Sequence, residues 1–446
     1  MRWGAVCLAA GLLGGGQALA QLKAGYARTD ITPAEPVWMG GYDLRNSPSD
    51  GVYPGEKLYL RALAFESGAV RVVFLEADII GFADHAGWRK RISQETGIPV
   101  ENILIGDEHN HAAPSPNPST NANWTRQFDG FIVPTVKQAI SALRPVRIAV
   151  GEGRSHVAVN RRAMRPADRD TDLTFDENNR SQSFGKFKTD HPVKIHEFAG
   201  EMRLGANPGG PIDEAVQLVR IDDEKGQPHA VMIHYACHGT SLGGRNSKIS
   251  AEWMGRMQSY VESQIPGISP IYLQGAAGDV NPRVVGGLDG NTDSIDTTHA
   301  LGEEIGREVV RVYRTLAPAP LATPRIELVS REILLPRTYR ELLDTRQLAN
   351  VFKDPAIRVP TTALRIGDLM WISFPGEMFN TIGKHVKAAC PATVAHIMGY
   401  TNGYIGYFPE QKAFAEGGYE PTASHLAPNA EQIYMREIKE LMKAFQ

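Results

Sequence analysis

The tripeptide His109-Asn110-His111 has residue types and a spacing that could hold a metal ion. It follows the apolar run at residues 103–105 and precedes Pro114, so it lies where a predicted strand gives way to a polar loop. In extended backbone, two histidines separated by one residue point the same way. Imidazole binds zinc and other late first-row metals. The pattern therefore predicts a metal site at a strand end, with further ligands supplied by other segments.

A second pair of histidines occurs in the apolar stretch at residues 232–241. His234 and His238 would share a face in a helix and also in a strand, so the spacing does not decide which of them is a ligand. No glutamate follows His234, and the zincin pattern His-Glu-x-x-His is therefore absent. We interpret His234 as a core residue.

Two other strand ends carry groups that could serve a site. Glu377 follows the apolar residues 371–374 and a Pro-Gly turn, where it could be a hard ligand or a general base; the alternative is an ordinary acid at a helix N-terminus. The small residues at 275–278 follow a predicted strand and would let backbone amides approach a ligand; the alternative is a tight turn. No Gly-Lys-Ser/Thr follows, which excludes a phosphate loop.

Composition and the N-terminus restrict the class of protein. The chain has 446 residues and a net charge of −3, which gives no electrostatic case for binding nucleic acid. Residues 1–20 combine Arg2, a short apolar run and Ala18-Leu19-Ala20, which predicts a cleaved signal peptide and a secreted or periplasmic protein. After cleavage Cys237 and Cys390 remain, either as one disulfide or as two separate thiols.

Apolar periodicity predicts an alternation of strands and helices, hence an α/β protein. Strands are predicted at residues 70–75, 103–105, 147–150, 271–273 and 369–374, and helices at 84–96, 131–143, 301–316 and 429–445. Pro134 is placed in the first turn of its helix, and Asn429 with Gln432 forms a capping box. Residues 164–211 lack this periodicity and are interpreted as a surface excursion. We expect one domain over 21–446, with a mixed central sheet flanked by helices and long surface loops.

The order of several short motifs along the chain resembles the amino-terminal domain of the neutral, non-lysosomal ceramidases. The matching segments are residues 25–33, 39–42, 61–64, 109–111, 159–161, 238–241, 278–282, 375–377 and 419–424. The resemblance covers nearly the whole chain after the predicted signal peptide. It does not extend to the β-rich carboxy-terminal domain of that family, because this chain has one helix beyond Ser424.

The resemblance implies a zinc ion held by two histidines, a glutamate and a tyrosine. Residue by residue, these positions fall on His109, His238, Glu377 and Tyr407. Tyr404 is a close neighbour that the alignment could confuse with Tyr407. Nitrogen and oxygen donors in a partly open site are typical of catalytic zinc.

The resemblance also implies hydrolysis of an amide by zinc-activated water, since zinc lowers the pKa of bound water from about 15.7 to about 7. Tyr419 and Arg161 fall on positions that contact the scissile group or its oxyanion, and His111 could deliver a proton to the leaving amine. The family places a serine where this chain has Asn281, and an amide cannot be a nucleophile. Asn281 could still hydrogen-bond the substrate.

These implications predict a zinc-dependent amidohydrolase acting on a small-molecule or lipid N-acyl substrate, with transient contact to a membrane surface. Three alternatives remain open. The first is a zinc esterase or deacetylase that acts on a smaller acyl group. The second is an amidohydrolase barrel, because such barrels also use His-x-His. The third is a binding protein without catalysis, in which Asn281 marks the lost activity.

Overall fold

A computed structural model describes residues 21–42, 45–164, 202–286, 294–322, 324–338 and 356–446. The strands are β1 Lys23–Asp30, β2 Tyr59–Ser67, β3 Val70–Ala77, β4 Ile103–Asp107, β5 Arg144–Arg154, β6 Ala158–Met164, β7 Met202–Asn207, β8 Ala215–Asp223, β9 Pro228–Tyr235, β10 Pro270–Gln274, β11 Val280–Pro282, β12 Ile326–Pro336, β13 Ala356–Ile366, β14 Leu369–Ser373, β15 Glu377–Met378, β16 Val394–Met398 and β17 Tyr407–Phe408. The helices are α1 His85–Thr96, α2 Ala122–Ser141, α3 Glu252–Gln264, α4 Ile295–Thr315, α5 Asn380–Ala389, α6 Gln411–Glu416, α7 Tyr419–Ala423 and α8 Ala430–Met442.

The largest sheet has eight strands in the order β10-β9-β8-β5-β1-β2-β3-β4. The pairs β3–β4 and β9–β10 are parallel and its other pairs are antiparallel, so the predicted mixed α/β sheet is confirmed. Helix α1 connects β3 to β4, and α3 connects β9 to β10. This topology excludes a barrel of alternating parallel strands and helices.

The two edge strands of this sheet, β4 and β10, contact each other because the sheet curls. The amide of Gln274, at the end of β10, donates from Nε2 to the backbone oxygen of Glu108 at 3.2 Å. Just beyond, Asn110 and Gly239 form a parallel bridge. The loops that follow β4 and β9 therefore meet, although the two strands belong to opposite ends of the sheet order.

A second sheet, ordered β12-β13-β14-β16, packs with α5 and α8 around its own apolar cluster. Helices α3 and α4 pack together over one face of the large sheet, and α2 packs on β1 and β2. Short sheets of β11-β6-β7 and β15-β17 lie beside these larger units. They carry several of the residues that the sequence singled out.

Most predicted elements are confirmed, with strands β3, β4, β5, β10 and β14 and helices α1, α4 and α8 at the expected places. Asp84 caps α1 by accepting from Gly87 N, and the buried stripe of α4 includes Leu301, Ile305 and Val309. Within residues 164–211, the segment Met202–Asn207 forms β7 rather than a loop, and residues 165–201 lie outside the described residues.

The placement of Pro134 in a first helical turn is wrong. Helix α2 begins at Ala122, so Pro134 lies inside it. Its side chain is exposed, and residue 130, whose carbonyl faces the proline ring one turn earlier, is a glycine. The missing hydrogen bond therefore falls on the solvent side, where water can bind the free carbonyl.

The capping box predicted for the last helix is also wrong. Asn429 is the N-cap residue of α8, but its side chain makes no cap hydrogen bond. Gln432 instead donates from Nε2 to Oε1 of Gln411, the first residue of α6, at 2.6 Å. A tertiary partner has replaced the local one.

Three smaller points concern the interior. His234 lies on β9 and is buried, as the core interpretation required. Cys237 and Cys390 are both free thiols, so the disulfide alternative is not realised. Across the described ranges, no helix combines the length and the hydrophobicity that a membrane crossing requires.

Candidate metal centre

The first two histidines of the site are held by the turn that follows β4. His109 has a φ of 53°, a left-handed conformation that a side chain with a Cβ rarely adopts. Its backbone N–H donates to Asp107 Oδ1 at 3.0 Å, and the N–H of His111 donates to the carbonyl of Gly239 at 2.9 Å. Non-glycine residues in this region persist only where their surroundings fix them, and such residues are concentrated at functional sites.

A buried ionic network lies beneath this turn. Arg61 is ion-paired with Asp78 and has Glu108 at 3.6 Å, and all three side chains are almost fully buried. Gln258 of α3 donates from Nε2 to Glu108 Oε1 at 2.8 Å. Removing one partner from such a network leaves an uncompensated buried charge, so the network ties the turn to β2 and α3.

Three imidazoles meet at this point. His109, His111 and His238 each place a ring nitrogen within 4.8 Å of the others. Glu377 joins them from β15, with Oε2 3.0 Å from Nε2 of His238 and 3.7 Å from Nε2 of His109. The structure thus brings three of the four predicted ligands, His109, His238 and Glu377, to one place.

His238 has its ring oriented for ligation. Its Nδ1 lies 2.7 Å from the carbonyl oxygen of Ala277, which accepts a hydrogen bond from the Nδ1–H. The other nitrogen, Nε2, is thereby left with a lone pair and faces Glu377. Metal-binding histidines usually donate their second N–H to a carbonyl in this manner, which fixes the tautomer and raises the basicity of the ligand.

Charge and burial oppose each other at Glu377. Burial alone would raise its pKa, but His109, His238 and Arg161 lower the pKa to about 2. Burial lowers the pKa of His109 to about 3, and it also lowers the pKa of His238. At neutral pH the site therefore presents one carboxylate and neutral imidazoles, the protonation states that bind a metal ion.

The two tyrosines of the 402–407 segment have different surroundings. The hydroxyl of Tyr404 donates to Glu377 Oε1 at 2.5 Å, which leaves Oε2 directed at the histidines. Tyr407 lies on β17 directly beside Glu377 in the parallel pair. Its ring packs edge-on against Tyr419 at 5.4 Å, and burial raises the pKa of Tyr407 well above its usual value.

Arg161 reaches the site from β6. Its Nε donates to Glu420 Oε1 at 2.8 Å, and its NH1 lies 3.2 Å from both His238 Nε2 and Asn281 Oδ1. Its NH2 is buried and has no hydrogen-bond partner. Burial would lower the pKa of Arg161, but Tyr407, Glu420 and Glu377 hold it well above the usual value, so the guanidinium stays charged.

Asn281, on β11, contributes an acceptor to the same cluster. Its Oδ1 accepts from Arg161 NH1 and, at 3.5 Å, from the hydroxyl of Thr240. The side chain is 7% exposed. It therefore orients Arg161 and borders the cluster.

Several residues around the site could not be found from the sequence. Tyr400 stacks on the ring of His109 with centroids 4.2 Å apart, and Tyr42 packs against His111 at 4.9 Å. Glu420 binds both Arg161 and Arg162. Tyr400 and Asn402 share the left-handed conformation of His109, with φ of 54° and 64°. No spacing or periodicity marks these positions, because each acts through a neighbour that is distant in the chain.

The donor set fits a zinc ion. Imidazole nitrogens and a carboxylate oxygen are the ligands that zinc prefers at catalytic sites, and they converge here in neutral and ionised forms respectively. The unpartnered ring nitrogens support the same conclusion, since Nδ1 of His109 and both ring nitrogens of His111 are buried without a hydrogen-bond partner. Buried polar atoms of this kind are usually satisfied by a bound water or ion.

Comparison with known protein families identifies the class to which this fold and this site belong. The profile of the family described as neutral/alkaline non-lysosomal ceramidase, N-terminal, matches residues 22–303. This is more than half of the chain, so the chain belongs to the neutral/alkaline ceramidase family, whose members are hydrolases that act on amides. The resemblance seen in the sequence is thereby confirmed.

Two solved structures have the same fold. The crystal structure of neutral ceramidase from Pseudomonas aeruginosa is 17% identical in sequence, with a TM-score of 0.72, over 96% of this chain and 74% of that chain. A ceramidase complexed with C2 is also 17% identical, with a TM-score of 0.71, over 96% of this chain and 75% of that chain. A search of curated protein sequences finds no match.

Proposed function

We propose that the protein is a secreted, zinc-dependent amidohydrolase that cleaves an N-acyl amide, with ceramide and related N-acyl lipids as the nearest substrate class. One observation carries the proposal: His109, His238 and Glu377 enter from three distant segments and converge within hydrogen-bonding or ligating reach. Family membership supports the amide as the bond that is cleaved.

His109 Nε2, His238 Nε2 and Glu377 Oε2 would hold the zinc, with Tyr407 as the fourth ligand. When bound, zinc supplies a Lewis acid that activates water at neutral pH. Tyr404 then serves as a positioning residue, because its hydroxyl occupies the other carboxylate oxygen of Glu377. The carbonyl of Ala277 fixes the tautomer of His238 in the same sense.

The charge that develops on the substrate carbonyl oxygen requires donors. The unpartnered NH2 of Arg161 is one, and the guanidinium is held in place by Glu420 and Asn281. Tyr419 is the other, since burial raises its pKa to about 12 and keeps its hydroxyl protonated. Donors fixed before the reaction stabilise a developing oxyanion without the cost of reorganisation.

The leaving amine must gain a proton. His111 lies beside His109 and His238, and burial holds its pKa well below the usual value, so the ring is neutral at pH 7. A neutral imidazole can accept a proton from water and pass it to the amine nitrogen. Asn281 cannot act as a nucleophile, which leaves water as the attacking group.

The predicted signal peptide over residues 1–20 supports export, and a lipid substrate would require transient contact with a membrane surface. Neither property is needed for the chemistry of the site. The net charge of −3 gives no reason to add a nucleic acid to the partners.

A substrate screen tests the proposal. Purified protein is assayed with ceramides, N-acyl amino acids, acetylated sugars and simple esters, before and after removal of metal by a chelator, and then after zinc is restored. We expect cleavage of at least one N-acyl amide, loss with the chelator and recovery with zinc. Cleavage of esters or acetylated sugars alone would favour the esterase alternative. Bound zinc with no cleavage of any substrate would favour a binding protein.

A further inference from the structure

A cation without a carboxylate partner lies next to the proposed metal centre. Arg45 donates from NH1 to the carbonyl oxygens of Gly40 and His111, both at 2.6 Å. Its Nε and NH2 have no hydrogen-bond partner, and among the described residues no carboxylate forms an ion pair with it. A partly buried guanidinium whose hydrogen bonds go only to neutral oxygens has an uncompensated charge, which an anion would neutralise.

Among the described residues, the carboxylate whose charge acts on Arg45 is that of Glu252, and it already has other hydrogen-bond partners. Burial lowers the pKa of Arg45, and the negative charge of Glu252 is close enough to oppose that shift. Its carboxylate, however, accepts from Leu242 N at 2.9 Å and from both the backbone N–H and the hydroxyl of Ser241. These bonds hold the loop that follows His238, so Glu252 does not neutralise Arg45.

Arg45 also lines a cavity of about 310 Å³. A second arginine, Arg245, lies on the opposite loop and is exposed. Apart from Met39 and Pro48, the rest of the lining is polar or glycine, and none of the described lining residues is an aspartate or glutamate; these residues are Met39, Asn46, Ser47, Pro48, Gly244, Asn246 and Ser247. Two cations, with amide and hydroxyl donors around them, make a cavity that favours an anion.

The cavity is close to the reacting groups. Tyr42 lies between them, with its ring centroid 5.1 Å from Cζ of Arg45 and 4.9 Å from the ring of His111. His111 is the residue that we expect to face the leaving amine. Arg45 also donates to the carbonyl oxygen of His111, so the wall of the cavity and the turn that carries His111 are directly joined.

We propose that this cavity is a subsite for an anionic group, a carboxylate in the first instance, carried by the amine portion of the substrate. The inference rests on the proposed function, and it specifies the substrate class as N-acyl amides whose amine part is negatively charged, such as N-acyl amino acids. Arg45 supplies a fork of N–H donors to the carboxylate, and Arg245 supplies a second charge at the cavity mouth.

The test compares two substrates that differ in charge alone. N-dodecanoylglycine carries a carboxylate where N-dodecanoylglycinamide carries a neutral amide of the same size, and release of dodecanoic acid is measured for both. We expect kcat/KM to favour the glycine conjugate by about tenfold, the range of one charge-assisted hydrogen bond, and the preference to weaken in high salt. Equal kcat/KM values would overturn the proposal.

Matched variants separate the subsite from general charge effects. Arg245→Glu reverses an exposed charge at the cavity, and Arg147→Glu makes the same change at an exposed position on β5. The readout is the ratio of kcat/KM for N-dodecanoylglycine to kcat/KM for N-dodecanoylglycinamide within each protein. We expect Arg245→Glu to lower this ratio to about one and Arg147→Glu to keep the ratio of the unsubstituted protein. An equal effect of both variants would show nonspecific steering and would overturn the subsite.

Binding measured without turnover distinguishes the two proposals. Isothermal titration calorimetry with N-dodecanoylglycine is carried out on the chelator-treated forms of the unsubstituted protein and of Arg245→Glu, which we expect not to hydrolyse it. One outcome is that neither conjugate is cleaved, but N-dodecanoylglycine binds at least about fivefold more tightly to the unsubstituted protein than to Arg245→Glu. In that case the proposed hydrolysis fails and the subsite stands. If cleavage occurs and binding is the same in both proteins, the hydrolysis stands and the subsite fails.

Discussion

The molecule contains two groups of buried histidines that behave differently, although one member of each group comes from the same short segment. The metal-centre histidines are His109, His111 and His238, which lie together, and Glu377 contacts two of them, His109 and His238. The interior pair is His234 and His396, whose ring centroids are 5.3 Å apart. His234 and His238 are separated by only three residues, yet the first points into the core and the second into the site.

Burial does not distinguish the two groups. It lowers the pKa of both His109 and His234 to about 3, and it lowers the pKa of His111 and of His396 well below the usual value. A depressed histidine pKa therefore reports burial here, not function. The interpretation of perturbed pKa values as functional signals needs a second criterion.

Charge and partners do distinguish them. His234 hydrogen-bonds through Nε2 to the carbonyl of Ile397, and His396 stacks on Trp371 with centroids 5.4 Å apart. Within the described ranges, no carboxylate forms an ion pair with either ring. The metal-centre histidines, by contrast, share a carboxylate and an arginine. The comparison teaches that a carboxylate in contact with the rings, and not burial, separates the candidate metal centre from the interior pair.

The largest expected effect comes from His238→Ala. We expect loss of bound zinc and a fall in activity of more than about 100-fold, because even removing a hydrogen-bond partner of a ligand costs 10–100-fold. Atomic absorption measures the zinc, and dodecanoic acid release from an N-acyl substrate measures the activity.

The matched control for that variant is His234→Ala, which deletes the other histidine of the same segment. We expect it to retain zinc. Circular dichroism verifies that both variants fold, and Glu377→Gln, which keeps the side-chain volume, provides a second route to the same loss. An active, zinc-loaded His238→Ala protein would refute the ligand assignment.

An intermediate effect is expected for His234→Leu on the pH dependence of stability. The folded state keeps His234 neutral down to about pH 3, whereas in the unfolded chain a histidine is protonated below about pH 6.5. The unfolded state therefore binds more protons as the pH falls, and the free energy of unfolding falls with it. Between pH 7 and pH 5 the variant should lose about 2 kcal/mol less than the unsubstituted protein.

Urea denaturation at the two pH values measures this difference. His385→Leu, which removes an exposed histidine from α5, is the control. If His234→Leu shows the same loss of stability between pH 7 and pH 5 as the unsubstituted protein, the interior pair does not titrate in the manner described. Release of zinc by His234→Leu at pH 7 would contradict the conclusion that the interior pair plays no part in metal binding.

The smallest expected effect is that of Asn281→Ala. Arg161 keeps Glu420 but loses one neutral acceptor, which is worth about 1 kcal/mol, so kcat/KM should fall by about tenfold or less. Steady-state kinetics on one N-acyl substrate measures the fall. Complete loss of turnover with zinc still bound would give Asn281 a catalytic role beyond the positioning of Arg161.

Sequence patterns predicted the elements that have strong periodicity and clear ends. Gly97 ends α1 in the left-handed conformation expected of a C-cap glycine, and the apolar stripe of α4 is buried as its spacing indicated. Helix α2 was placed too late because Pro134 is normally a start signal. An exposed proline on a helix that is otherwise stabilised by core packing does not follow that rule.

Only part of the candidate site could be predicted from the sequence. His109, His238 and Glu377 stood out because each follows an apolar strand, and the family resemblance placed them together. Tyr400 and Arg45 gave no signal, because stacking on His109 and hydrogen bonding to His111 depend on a curled sheet whose edges meet. Such contacts are properties of the tertiary structure, and no local pattern encodes them.

The separation of the donors along the chain also determines when the centre can form. Each donor enters on a segment of its own, and Glu377 lies 139 positions after His238 in the chain. A nascent polypeptide that still lacks Glu377 can complete the large sheet, whose last strand ends at Gln274, but it offers imidazoles without the carboxylate, and such a partial set binds metal weakly. Zinc capture would then be a late event that follows synthesis and closure of the large sheet. The ion would stabilise the completed fold and would not direct its formation.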